Sequence, residues 1–298
     1  VFWEAMLIPM YYMVGKFGGE RRRYATLKFF LYTMAGSVLM LVGILWLYHL
    51  AGQQMGARTM SLLDFYRLDI DADTQIVLFV LFAAAFAIKI PLFPFHTWLP
   101  DAHVEAPTPG SILLAGVLLK MGGYGLIRFV LPLFPVASKL FAPWMAGLAV
   151  AGILYGAMVA WAQKDMKKLV AYSSVSHMGF VVLGIFALRT VSMTGAVFQM
   201  VAHGLSTGSL FLLIGILYER SHTRMIGDFG GLFTQMPRFT ALFFLTTLAS
   251  IGMPGLCGFV GEFLILAGSF DAPATLWPEL WVGLSCLGIV LGAAYMLM

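Results

Sequence analysis

The chain has 298 residues, of which 60% are hydrophobic and 11% charged, with a mean hydropathy of +0.89 and a formal net charge of +4. A soluble domain carries about a quarter charged residues, so a chain this apolar could not cover its own surface in water and belongs in lipid. Its basic residues flank apolar segments, which excludes a nucleic-acid patch. Its two cysteines, Cys257 and Cys286, lack the spacing of a zinc or iron–sulfur site, and no phosphate-binding glycine loop occurs.

Apolar runs lie at about 1–14, 26–50, 74–91, 109–128, 142–162, 167–187, 194–218, 239–268 and 276–298, which predicts about nine membrane segments. The first run opens at Val1 without a basic n-region or cleavage site, so it is not read as a signal peptide. It is short for a span, and the last run stops abruptly at Met298. Both ends read as cut, and a longer natural protein is expected.

Alternating sides put Lys16, Arg21, Arg22, Arg23, Lys28, Lys164, Lys167, Lys168, Arg220, Arg224 and Arg238 in one set of loops. The other set holds Arg58, Arg67, Arg128, Lys139 and Arg189. Eleven against five makes the first set cytoplasmic by the positive-inside rule.

Lys89 and Lys120 are the remaining cations, and both fall inside spans, as do Glu4, Glu262, His177 and His203. A charge at the centre of a lone helix costs about 2.5–3.5 kcal/mol, so such residues face a protein interior and usually have partners. All six can titrate, as a proton path requires. Taken singly, each also has a structural reading as an ion pair or an interior hydrogen bond, and for His177 or His203 alone that reading weighs as much as a relay.

Two spans read as broken. Lys89 precedes Pro91 and Pro94, and Gly252-Met253-Pro254-Gly255 precedes Glu262 by about two turns. Interrupted helices in corresponding halves point to a transport site and suggest two repeats of about five helices, about 1–135 and 136–298, within one domain. The stretch 96–110 is polar and proline-rich. Its His96, Asp101, His103 and Glu105 are metal-binding types, but their setting favours an exposed connection between helices.

The motifs FWEAMLIPMYYMVGKFGGERR, FLYTMAGSVLML, KIPLFPFHTWLPDAHVEAPTPGSILLAGVLLKMGGYGLIRF, KDMKKLVAYSSVSHMGFV, HGLSTGSLFLLIGILYER and GFVGEF carry a resemblance that covers essentially the whole chain. They resemble the antiporter-like membrane subunits of respiratory complex I, the NADH–quinone oxidoreductase, and among these the M type, equivalent to mitochondrial chain 4.

The resemblance implies an all-α polytopic transmembrane bundle of inverted five-helix repeats with broken helices. It implies a Glu4–Lys89 ion pair, a relay at Lys120, polar-axis histidines at His177 and His203, and a terminal acid at Glu262, where L-type and N-type relatives carry lysine. It also implies proton translocation coupled to quinone reduction, with no redox cofactor in this chain. NADH, FMN, iron–sulfur clusters and quinone would sit on partner subunits, and L-like and N-like subunits would be neighbours. The implied location is the bacterial inner membrane, or else the mitochondrial inner membrane. A multi-subunit cation/proton antiporter or a membrane-bound hydrogenase is the rival reading. Haem ligation by His177 and His203, and a non-transporting scaffold, are weaker ones.

Overall fold

The computed structural model describes residues 2–272 and 278–297. Among these residues every regular element is helical, and extended backbone pairs only at an isolated bridge between Asp165 and Met225. Seven helices are long and apolar enough to cross a membrane: Arg22–Met55, Ala72–Lys89, Thr108–Leu133, Pro135–Trp161, Met166–Phe186, Thr190–Ser221 and Pro278–Leu297. The opening run forms the short helices Phe2–Ala5 and Leu7–Phe17, and the 239–268 run forms Pro237–Ile251 and Cys257–Ser269. The fold is therefore an all-α polytopic bundle, as expected.

Its outer surface is apolar. Leu31, Val42, Trp144, Val201 and Val290 are exposed because the solvent there is hydrocarbon, and the helical form suits it because it pairs backbone groups along its own axis. Helix 166–186 is the opposite case. It runs through the centre, packed by helices 135–161 and 190–221, and its residues from Val170 to Ala187 are almost all buried.

Both breaks are real, and each is closed by local chemistry. Helix 72–89 starts at Asp71, whose carboxylate accepts the Thr74 N–H at 3.0 Å. That bond, with the Thr74 side chain, holds the Asp71 carboxyl below the usual range. The helix stops at Lys89, just before Pro91 and Pro94, neither of which can donate to the ladder. The freed Ile88 carbonyl accepts the Trp98 indole N–H at 2.9 Å. At the second break, Gly252 ends helix 237–251 at φ +79, a left-handed cap that costs glycine little.

The 92–108 stretch is not the exposed loop read from its polarity. It contains the short helix Trp98–Glu105, in which Trp98, Leu99, Ala102 and His103 are buried. The prolines interrupt the chain's passage through the bundle, and the polar residues find partners at its end. Asp101 bonds Lys28 at 2.7 Å, and Glu105 accepts the Arg21 N–H at 3.0 Å.

Contacts between loops sort them onto two faces. Gly19 bonds Glu105, Asp165 pairs with Arg224 and Arg224 bonds Val104, which gathers the loops near 18–21, 105, 165 and 224. At the other face Tyr66 bonds Arg128, Gln75 accepts the Val136 N–H and Arg189 bonds Asp271. This is the alternation assumed for the charge count.

Candidate functional site

Four of the six candidate residues form one line through the bundle. Lys120 lies on helix 108–133 between two π-helical turns, Leu114–Leu118 and Leu126–Val130, a local widening common at functional sites. Its ammonium donates to the Ala115 carbonyl inside the first π turn, and sits 2.7 Å from His203 Nδ1. Helix 190–221 comes close enough to present His203 because Gly204 meets the Gly116 carbonyl, with Lys120 alongside. A Cβ at Gly204 would stand 3.0 Å from that oxygen.

The His203 and His177 rings follow at 5.6 Å between centroids. His177 Nδ1 then lies 2.9 Å from Glu262 Oε1. His203, His177 and Glu262 are all buried. The break before Glu262 also positions it, for a Cβ on Gly252 would stand 2.8 Å from Glu262 Oε2. The cap that ends one half-helix thus leaves room for the acid of the next.

The Nε2 atoms of both histidines are buried and have no hydrogen-bond partner. The gap between the rings is therefore the one step of this line without a direct hydrogen bond. The other two steps, Lys120 to His203 and His177 to Glu262, are direct side-chain contacts at hydrogen-bond distance.

The Glu4–Lys89 half is arranged differently. Lys89 is 2% exposed, yet the expected ion pair is not a contact, because no acid lies within 4.0 Å of its ammonium among the described residues. The Trp3 ring occupies the space over the ammonium, with 5.2 Å from Nζ to its centroid, and the Trp3 indole is anchored on Ser37 at 3.1 Å. The ring supplies a cation–π contact in place of a carboxylate. Both Glu4 carboxylate oxygens and Lys89 Nζ are shielded and without hydrogen bonds. Glu4 remains the acid whose charge acts on Lys89. No hydrogen bond links Lys89 to Lys120 among the described residues.

His96, Asp101, His103 and Glu105 are not brought together, and no cluster of three or more His, Cys, Asp or Glu side chains occurs among the described residues. Asp101 and Glu105 are engaged as above, His96 stacks on Phe93 and His103 stacks on Phe211 at 4.5 Å.

Sequence reasoning missed Gln199, which is buried and donates to Glu262 Oε1 at 3.1 Å. Its signal was available, because it precedes His203 by four residues and so shares its helix face. Tyr295, also buried, lies within electrostatic reach of Glu262. Lys28 and Lys167, counted as loop cations, both stand in the first turns of long helices. Lys167 is buried, and its ammonium donates to the Ala106 carbonyl.

A polytopic helical bundle with titratable side chains buried between two broken helices defines a class of membrane protein built to handle charge inside lipid. Residues 1–288 match the family profile described as NADH:quinone oxidoreductase/Mrp antiporter, TM, and the chain belongs to that family.

Among curated proteins it is 49% identical over 306 residues to NADH-quinone oxidoreductase subunit M of Rhodobacter capsulatus, covering 100% of this chain and 58% of that one. It is 46% identical over 296 residues to NADH-ubiquinone oxidoreductase chain 4 of Chondrus crispus, covering 99% and 58%. The chain thus spans 58% of the length of these relatives. Among solved structures it resembles a chain of respiratory complex I from Thermus thermophilus with bound NADH. The TM-score is 0.92 at 40% identity, over 99% of this chain and 62% of that one. It also resembles a chain of the Mrp complex from Dietzia, with a TM-score of 0.85 at 28% identity, over 99% and 32%.

Proposed function

We propose that this chain is the proton-conducting section of an M-type membrane-arm subunit of NADH–quinone oxidoreductase. The observation that carries the proposal is the buried line Lys120–His203–His177–Glu262, which joins an amine, two imidazoles and a carboxylate across four helices, the last of them following a helix break. Each group can hold or release a proton, and neighbours influence one another because the medium between them is apolar.

A charged Lys120 donates to His203 Nδ1, and a neutral Lys120 can accept a proton from that nitrogen. On the far side, Glu262 Oε1 and His177 Nδ1 stand at hydrogen-bond distance and can share a proton, and Gln199 holds the carboxylate in place. Closing the gap between the rings joins the two ends. Glu4 and Lys89 would bias the line from its other side through charge.

In this reading the chain contains most of two inverted five-helix repeats, about 1–135 and 136–298. Quinone reduction on partner subunits drives the charge changes, and NADH, FMN, iron–sulfur clusters and quinone stay with those partners. L-like and N-like antiporter subunits adjoin it in a bacterial inner membrane. The likeness to the Mrp chain supports a second reading, a subunit of a cation/proton antiporter. The higher identity and TM-score against complex I favour the first.

The experiment is proton uptake by vesicles carrying the full-length protein in its native complex, with Glu262→Gln compared to wild type. Uptake should collapse while native gels show an assembled complex, and equal uptake overturns the reading. The partners that co-purify in mild detergent decide between the two assemblies.

A further inference from the structure

Lys167 is a buried cation that the line described above does not use. It lies in the first turn of helix 166–186, and its ammonium points away from the exposed Lys164 and Lys168, onto the Ala106 carbonyl. On one side of it is a cavity of about 330 Å³ at the face where the 18–21, 105–109 and 224 segments meet. That cavity is lined by Glu105, Thr108, Lys167, Tyr218, Glu219 and Arg224, so its walls carry both signs of charge and hydroxyl groups. A space of this size and polarity holds water.

His103 stands three residues before Ala106, whose carbonyl Lys167 bonds; it is 0% exposed, with neither ring nitrogen hydrogen-bonded. Lys167 and Lys120 are the two cations whose charges act on His103. An imidazole this deep, unpartnered at both nitrogens and within the electrostatic reach of two amines, has no evident packing purpose that phenylalanine would not serve.

We propose that Lys167 is the gate of a proton access route, joining the cavity at this face to Lys120 by way of His103. The proposal rests on the proton-conducting reading above and adds to it the residue that connects the buried line to solvent. In the closed arrangement the ammonium is held by the Ala106 carbonyl, at the junction of helix 98–105 and helix 108–133. Released from that oxygen, it turns inward and gives one proton to the neutral His103 imidazole. The amine left behind takes a proton from cavity water in exchange with the bulk, and imidazolium His103 passes its proton on to Lys120 when that amine is neutral. Arg224, Asp165 and Glu105 are the charged groups around Lys167, and they make its charge depend on the state of this face.

The test uses the full-length protein in its native complex, with proton uptake and native-gel assembly measured for Lys167→Met, Lys167→Arg and Glu262→Gln. Arginine keeps the charge and the bond to Ala106 but does not deprotonate in a protein. We expect both Lys167 variants to lose uptake by about 10²-fold, the low end for removal of a positioned proton-transfer group, with the arginine variant assembled normally. Arginine restoring wild-type uptake would make Lys167 a structural anchor and overturn the proposal. So would wild-type uptake in both Lys167 variants while Glu262→Gln is inactive, which would leave the underlying function standing. Wild-type uptake in Glu262→Gln would instead remove the reading on which the gate depends.

Discussion

The two broken helices carry the same kind of cargo in different ways. At the second, Glu262 is held by His177 and Gln199 and fits the space left by Gly252, so its carboxylate has fixed partners. At the first, Lys89 has an aromatic ring above it and an acid that acts only at a distance. A hydrogen-bonded group hands a proton to a defined neighbour, whereas an unbonded buried charge acts through its field. The comparison teaches that one break holds its charge in fixed hydrogen bonds and the other leaves its charge unbonded, although both look alike as charges in apolar runs.

The largest expected effect breaks the bonded half. Glu262→Gln should lower proton uptake by about 10²-fold or more, because it removes a titrating group from a connected line. Glu262→Asp shortens the reach by one methylene and should retain part of the activity. Glu262→Lys tests the residue type: a relay works with either titratable group, whereas a fixed pair with His177 does not, so partial uptake in assembled protein supports the relay.

Glu4→Gln probes the field-acting half. Uptake should fall by about tenfold, equal to ~1.4 kcal/mol on the limiting barrier. Assembly should be untouched, because the Glu4 carboxylate makes no hydrogen bond that glutamine would lose. Full uptake would leave Glu4 a structural role only and remove the bias from the comparison.

A smaller effect should come from Gly252→Ala. It puts a side chain at φ +79 with its Cβ 2.8 Å from Glu262 Oε2. The backbone strain alone costs about 1–3 kcal/mol, readable as a lower unfolding temperature of the detergent-solubilised protein. Uptake should fall with it if the break positions the acid. A loss of stability at unchanged uptake would separate the two.

The smallest effect is on activity and the most informative about orientation. In a background lacking Cys257 and Cys286, Glu20→Cys and Lys164→Cys should react with an impermeant thiol reagent from the cytoplasmic side. Arg58→Cys should react from the opposite side, with uptake unchanged in all three. Labelling of Glu20→Cys from the periplasm reverses the orientation of both halves.

Apolar runs, two proline- or glycine-marked breaks and six titratable residues inside spans were legible in the primary structure, because lipid penalises each polar residue individually and so makes it visible one position at a time. The same logic carried the alternation of the loops. The partner of each charge was not legible. The Lys120–His203, His177–Glu262 and Gln199–Glu262 contacts join residues 63 to 85 positions apart, and only the packing of helices decides them.

The tertiary structure also overruled local polarity. HTWLPDAHVE reads as a loop because its side chains are polar, yet it is drawn inward as a helix once Lys28 and the Arg21 N–H take up its acids. Lys167 reads as one loop cation among three neighbours, yet it alone of them is buried, because the Ala106 carbonyl between helix 98–105 and helix 108–133 stands where its ammonium can reach. Composition and spacing determined that charge must be housed in this membrane domain, since the cost of burying it is paid locally. Which charges meet, and which face an aromatic ring instead, was decided by the bundle, since hydrogen bonds act over about 3 Å and depend on where the backbones finally lie.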